Sequence, residues 1–107
     1  MHRLTIQYAA PADPTAFEQR YAAEHVALVR GIPGLRRFLL SHPRAMGAAG
    51  AGPAPYLLAE LWFDDAPALK AALRSPEMAE TGAHAAALGV PTTMFIGDVA
   101  EPVGFPG

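Results

Sequence analysis

The chain has 107 residues and a mass of 11.2 kDa, enough for one compact domain and too little for a cofactor module beside a substrate module. At 51% hydrophobic and 17% charged residues it is too apolar for a disordered chain, yet it has no apolar run long enough to span a bilayer. A formal charge of -2, with basic residues scattered except for Arg36 and Arg37, gives no electrostatic footprint for nucleic acid or an anionic membrane, and the absence of cysteine excludes disulfides, thiolate metal centres and cysteine nucleophiles. Met1 to Thr5 lead straight into polar alternation without an apolar signal core, so the expected location is cytoplasmic. The 23 alanines, and arginine at seven of the eight basic positions, reflect the coding bias of a GC-rich, bacterial genome. They also have a physical consequence. Alanine side chains fill little volume, and a domain of this size buries only roughly 60 to 70% of its unfolded surface, so burial against a second copy would help.

In chain order, Leu4, Ile6 and Tyr8 alternate with Arg3, Thr5 and Gln7, the period-two pattern of a strand with one apolar face that Pro11 ends. Asp13 and Pro14 supply a helix N-cap and first-turn proline, and Gly31 and Pro33-Gly34 supply the stop, which predicts a helix over 14–30. On it Phe17, Tyr21, Leu28 and Ile32 form one apolar stripe, with His25 inside it. Leu35 to His42 reads as a second strand and Tyr56 to Phe63 as a third. Between them, Pro43 to Pro55 mixes prolines and glycines with small residues and predicts a mobile loop, the place for a lid or simply for disorder. Asp64-Asp65 caps a short helix through Arg74, Ser75-Pro76-Glu77 starts another that Gly89 stops, and Thr92 to Val99 forms a last strand. Pro102 to Gly107 is expected to be an irregular tail.

The order β, α, β, β, α, β predicts a split βαβ, ferredoxin-like α+β sandwich: a four-stranded antiparallel sheet with helices on one face. The third strand is apolar on both sides, Leu57, Ala59, Leu61 and Phe63 on one, and Tyr56, Leu58 and Trp62 with Glu60 on the other. Two such sheets packed face to face would bury the second row, which predicts a homodimer.

The four histidines, His2, His25, His42 and His84, lack the spacing and carboxylate company of a metal site, so no metal and no cofactor are expected. No nucleophile elbow or phosphate-binding glycine loop is present, and Thr5 and Gln7 replace the exposed aromatics an RNA-reading sheet would need. His25 stands out by position. It is either a core histidine with satisfied nitrogens, bonded for example to Tyr21, or a pocket-lining one. Tyr8 lines the same pocket or is ordinary core; Trp62 fills the interior; Glu60 meets Thr5 or Gln7; His84 lies on the surface or rim.

The strand ending in Tyr8, then Asp13-Pro14, Phe17, Tyr21-Ala-Ala-Glu-His25-Val-Ala-Leu28 and Gly31-Ile-Pro33-Gly34-Leu35, followed by Ala59-Glu60-Leu61-Trp62-Phe63-Asp64 and Ser75-Pro76-Glu77, resembles the EthD family of the dimeric α+β barrel superfamily. Departures are Ala27, where the family often has proline before leucine, and the long alanine- and glycine-rich loop from Pro43 to Pro55. The resemblance implies a single domain over 1–101 with a tail at 102–107, a homodimer through the sheets, and a small-molecule pocket between sheet and helices. Related barrels include lactone isomerases, cofactor-free monooxygenases and haem-degrading enzymes. Carried over residue by residue, only His25 and Tyr21 match functional positions; His25 is the candidate catalytic residue, and Tyr21, Tyr8, Leu28, Leu61 and Phe63 are read as the ligand-binding walls. A haem reading would instead draw on Gln7, Trp62 and His84.

Two functions follow. The first is a cofactor-independent isomerase or oxygenase acting on a small apolar, oxygen-bearing metabolite, with His25 as general base or hydrogen-bond donor. The second is a non-catalytic carrier of a hydrophobic intermediate.

Overall fold

Strand β1 (His2–Tyr8) occupies the middle of the sheet in the computed structural model, which describes residues 1–47 and 54–100. It pairs antiparallel with β3 (Leu57–Phe63) on one side and β4 (Thr92–Asp98) on the other, and β2 (Arg37–Ser41) lies outside β3, giving the order β2-β3-β1-β4. Helices follow β1 and β3 and cover one face, so the chain is a ferredoxin-like α+β sandwich. The lid expected in the connection from Pro43 to Pro55 depends on its central residues 48–53, which lie outside the described residues, as does the expected tail. The two described ends of that connection meet at one side chain: the Tyr56 hydroxyl donates to Glu18 at 2.9 Å, and His42 Nε2 lies 2.6 Å from the same carboxylate.

Three of the helices start where a cap residue accepts an otherwise unpaired amide. Asp13 accepts from the Ala16 N–H before α1 (Pro14–Arg20), Asp65 from Ala68 before α3 (Ala66–Leu73), and Ser75 from Met78 before α4 (Pro76–Ala87). Gly89, at φ +71°, provides the left-handed residue that ends α4. The first helix contains a feature the periodicity did not predict. Between α1 and α2 (Val26–Arg30), residues Tyr21–His25 form a π turn in which the Val26 N–H donates to the Tyr21 carbonyl, five residues back. In a regular α-helix, side chains four residues apart drift by about 40° per step. The extra residue in the π turn takes up that drift, so Phe17, Tyr21, His25 and Val29 all stay buried against the sheet. The predicted stripe is corrected at one position: Val29 is buried where Leu28 was expected, and Leu28 is only half-buried.

Leu57, Ala59, Leu61 and Phe63 project from β3 into the helical layer, joined there by Leu4 and Tyr8 of β1. The opposite face has no helical cover. There the Trp62 ring lies between two guanidinium groups, Arg3 at 5.7 Å and Arg37 at 5.4 Å from its centroid. Glu60 meets neither Thr5 nor Gln7. It accepts from Arg3 at 3.2 Å, because Arg3 sits diagonally across the β1–β3 ladder on the same face, and a charged donor outcompetes a neutral one for a carboxylate. Phe95 of β4 and Leu39 of β2 extend this face and are exposed.

Phe63 has no exposed surface and packs beneath the turn at Gly34. Phe63→Ala should therefore destabilise the fold by about 3–5 kcal/mol, measured as a loss of urea midpoint at unchanged slope. A loss below about 1 kcal/mol would show that the end of β3 is not part of the cooperative core.

Candidate functional site

The helical layer is incomplete above β1 and β4. Besides Met78 and Thr81, the cavity side of α4 carries Gly82, Ala85 and Ala86, which are too small to reach the sheet, and a cavity of about 420 Å³ remains. Its floor is Leu4, Ile6 and Tyr8 of β1 with Leu61 of β3; the first helix contributes Tyr21, His25 and Val29. Leu73 and Met94, both exposed, stand at its mouth. The walls are apolar apart from a few groups, which fix what can bind.

His25 is 2% exposed and its ring packs on Tyr21 with centroids 4.7 Å apart. Its Nδ1 lies 2.9 Å from Nδ1 of His84, with the two rings stacked at 5.1 Å. His84 Nε2 in turn lies 2.8 Å from a Glu24 carboxylate oxygen. Glu24 precedes His25 in sequence, and adjacent residues on a helix point about 100° apart, so His25 faces the cavity while Glu24 stands at the rim. Burial, and then the charge of His84, push the His25 pKa down from 6.5 to about 4, so the ring is neutral at pH 7. The hydrogen bond from His84, then the charge of Arg20, hold the Glu24 carboxyl below its usual range.

The Tyr8 hydroxyl is buried without a hydrogen-bond partner among the described residues. Burial raises its pKa, an effect the neighbouring Tyr21 hydroxyl partly opposes without reaching hydrogen-bond geometry, so Tyr8 stays a neutral phenol. Burial raises Tyr21 as well. The Thr81 hydroxyl already donates to the Glu77 carbonyl at 2.7 Å.

Of the residues singled out in the sequence, His25, Tyr8, Tyr21 and Leu61 come together around the cavity. Leu28 and Phe63 do not. The π turn rotates Val29 into the place expected of Leu28, and Phe63 lies beyond Leu61 at the far end of β3. His84 stands at the rim, one of the two places expected of it: its side chain is 15% exposed and bonded at both ring nitrogens. The trio Gln7, Trp62 and His84 is split by the sheet, with Gln7 and Trp62 on the open face and His84 on the helical side. The sequence signal for His84 was its place on a helix face of glycine and alanine, which brings α4 close to its neighbour. Among the described residues, no group of three or more His, Cys, Asp or Glu could hold a metal ion, and no helix is long and apolar enough to cross a membrane.

Residues 9–88 match the model of the EthD domain family. An 11.0 kDa protein of the thcB-thcC intergenic region of Rhodococcus erythropolis is 38% identical over 97 residues, covering 89% of this chain and 92% of its own length. Among solved structures, an EthD family protein from Bacillus halodurans C-125 superposes with a TM-score of 0.79 at 31% identity, over 94% of this chain and 99% of that one. SnoaB from Streptomyces nogalater, a cofactor-independent oxygenase, shares the fold with a TM-score of 0.65 at 16% identity, over 97% of each chain.

The buried imidazole makes stability depend on pH. Between about 6.5 and about 4, the unfolded chain binds a proton that the folded ring refuses. The contribution of His25 is therefore whole above the unfolded value and is lost as pH falls toward the folded one. Urea midpoints should decline from pH 7 to pH 4, and His25→Leu should flatten that decline. An identical slope in the variant would mean that another group controls it.

Proposed function

The chain belongs to the EthD family, and from that premise we propose that its cavity binds a small apolar metabolite bearing a carbonyl oxygen, on which the protein acts as a cofactor-independent isomerase or oxygenase. The observation that carries this reading is the pairing, inside one apolar cavity, of a neutral imidazole with an unpartnered phenol hydroxyl. Each supplies what the other lacks. The Tyr8 O–H can donate to the carbonyl oxygen and so acidify the adjacent C–H, and His25 can accept that proton through its free nitrogen. The apolar walls keep water from competing for either group. The resulting enolate can be reprotonated at another carbon, which is isomerisation, or can react with dioxygen, which is oxygenation. The shared fold with a cofactor-independent oxygenase supports the scaffold's suitability for such chemistry.

The same reading includes a homodimer through the open sheet face. Leu39 and Phe95 are exposed there, and the Trp62 indole N–H is buried under the two arginines without an acceptor among the described residues. A second sheet packed on this face would remove the apolar surface from water. Sedimentation at micromolar concentration should give about twice the 11.2 kDa mass, and Trp62→Glu, which puts an unpaired charge on the face, should dissociate or aggregate the protein. A monomer at all concentrations would remove the interface.

The catalytic reading is tested with 2-indanone, an apolar ketone with acidic α-protons. The wild-type protein should bind it and speed exchange of those protons in D2O, followed by NMR. His25→Ala should still fold, at a cost of about 1–3 kcal/mol for the unpaired partner it leaves, and should lose on the order of 10²-fold in exchange rate. Binding without exchange would support the carrier instead. Failure to bind 2-indanone or a panel of small lactones and quinones would sink the cavity reading altogether.

A further inference from the structure

His25 alone is a poor base for the proposed reaction, since a cation formed on its ring would sit in an apolar cavity, 2% exposed, with the Tyr21 ring against it. The geometry around it offers another place for the charge. A nitrogen-to-nitrogen hydrogen bond needs one proton between its two ends. The Glu24 carboxylate can only accept, so His84 donates to it through Nε2–H. In neutral His84 that leaves Nδ1 bare, and the proton in the 2.9 Å contact must therefore belong to Nδ1 of His25. It follows that His25 Nε2, which has no partner among the described residues, carries a free lone pair on a side chain that lines the cavity.

We propose that the base of this site is the His25–His84 pair: a proton accepted at His25 Nε2 is matched by transfer of the His25 Nδ1 proton to His84 Nδ1, so that the positive charge forms on His84 against Glu24. This deepens the proposed proton abstraction and rests on it for the source of the proton, whereas the relay itself belongs to the ligand-free protein. The step balances. The substrate C–H bond breaks and an Nε2–H bond forms on His25; the Nδ1–H bond of His25 breaks and an Nδ1–H bond forms on His84. His25 ends neutral as the other tautomer, His84 ends as an imidazolium, and the substrate ends as an enolate. Reprotonation of the enolate from Nε2 runs both transfers backwards.

The surroundings favour this division of charge. His84 is 15% exposed and Glu24 53%, so the cation stands at the rim beside an ionised carboxylate instead of in the cavity. The groups that face the pair are Tyr21 and Glu24 from the first helix, with Arg20 acting on Glu24, and the Tyr8 phenol from β1 behind Tyr21. None of them offers His25 an anion of its own. Glu24 and His84 are thus positioning residues: they touch no substrate, and they set which nitrogen of His25 is bare.

Ring nitrogen NMR on the 15N-labelled, ligand-free chain tests this directly. At alkaline pH, His25 should carry its proton on Nδ1 and His84 on Nε2. The first proton taken up on acidification should make His84 cationic while His25, still neutral, switches to the Nε2–H tautomer. His25 found as Nε2–H at alkaline pH, or holding its Nδ1 proton until it becomes cationic itself, would overturn the relay. In His84→Gln the amide oxygen can accept the Nδ1 proton but cannot take it, so the switch should vanish. Exchange of 2-indanone should then fall on the order of 10²-fold with binding retained. A tautomer switch that survives in His84→Gln would equally refute the pairing. If the wild-type protein does not bind 2-indanone, the substrate reading fails while the tautomer switch still decides the relay.

Discussion

The site depends on a shortage of side-chain volume. Interiors of proteins pack to nearly crystalline density when their side chains can reach one another, and α4 presents Gly82, Ala85 and Ala86 toward β1 where a filled layer would need leucine or phenylalanine. The helix cannot collapse onto the sheet to close the gap. At one end the Ser75 hydroxyl donates to the Ala72 carbonyl of α3, and on its flank His84 rests on His25 of the first helix. The void of about 420 Å³ is what remains. An alanine-rich composition that would merely weaken a core elsewhere here opens a chamber between the sheet and the helices that cover it.

Into that chamber the π turn delivers one polar group. Without the extra residue at Tyr21–His25, the helical register would carry position 25 round toward the flank by the time Phe17 and Tyr21 had packed. π turns are often found at functional sites because they are unfavourable unless tertiary packing compensates. Here the compensation is visible: Phe17, Tyr21, His25 and Val29 are all at most 4% exposed. The same turn leaves Glu24 at the rim, one residue away in sequence and on the solvent side of His84. A single local distortion therefore places both ends of the imidazole relay.

How far the sequence revealed this differs between fold and site. Strand alternation in Leu4, Ile6 and Tyr8, the Asp13, Asp65 and Ser75 caps, and the apolar run of β3 are local signals, each set by neighbours within a few residues, and together they imply the βαββαβ order that the structure has. His25 was visible because a polar group interrupted an apolar stripe. Leu28 and Val29 were exchanged because periodicity assumes 3.6 residues per turn, and nothing local in Tyr-Ala-Ala-Glu-His announces the wider turn. His84 was hidden for a different reason. Its partner lies 59 residues earlier, and a histidine among alanines looks solvated until the small residues around it are seen to bring two helices together. Arg3, rather than Thr5 or Gln7, took Glu60 because a long side chain can reach diagonally across a ladder, which strand pairing alone does not reveal.

Two buried donors lack acceptors among the described residues, the Tyr8 hydroxyl and the Trp62 indole N–H. Native folds leave few such groups, because a buried donor without a partner costs about 1–3 kcal/mol. These two lie on opposite faces of one sheet, Tyr8 in the cavity under the helices and Trp62 on the uncovered side. A single cause cannot serve both, since the sheet separates them. On the proposed reading each has its own missing partner, a ligand carbonyl for Tyr8 and an acceptor from a second copy for Trp62.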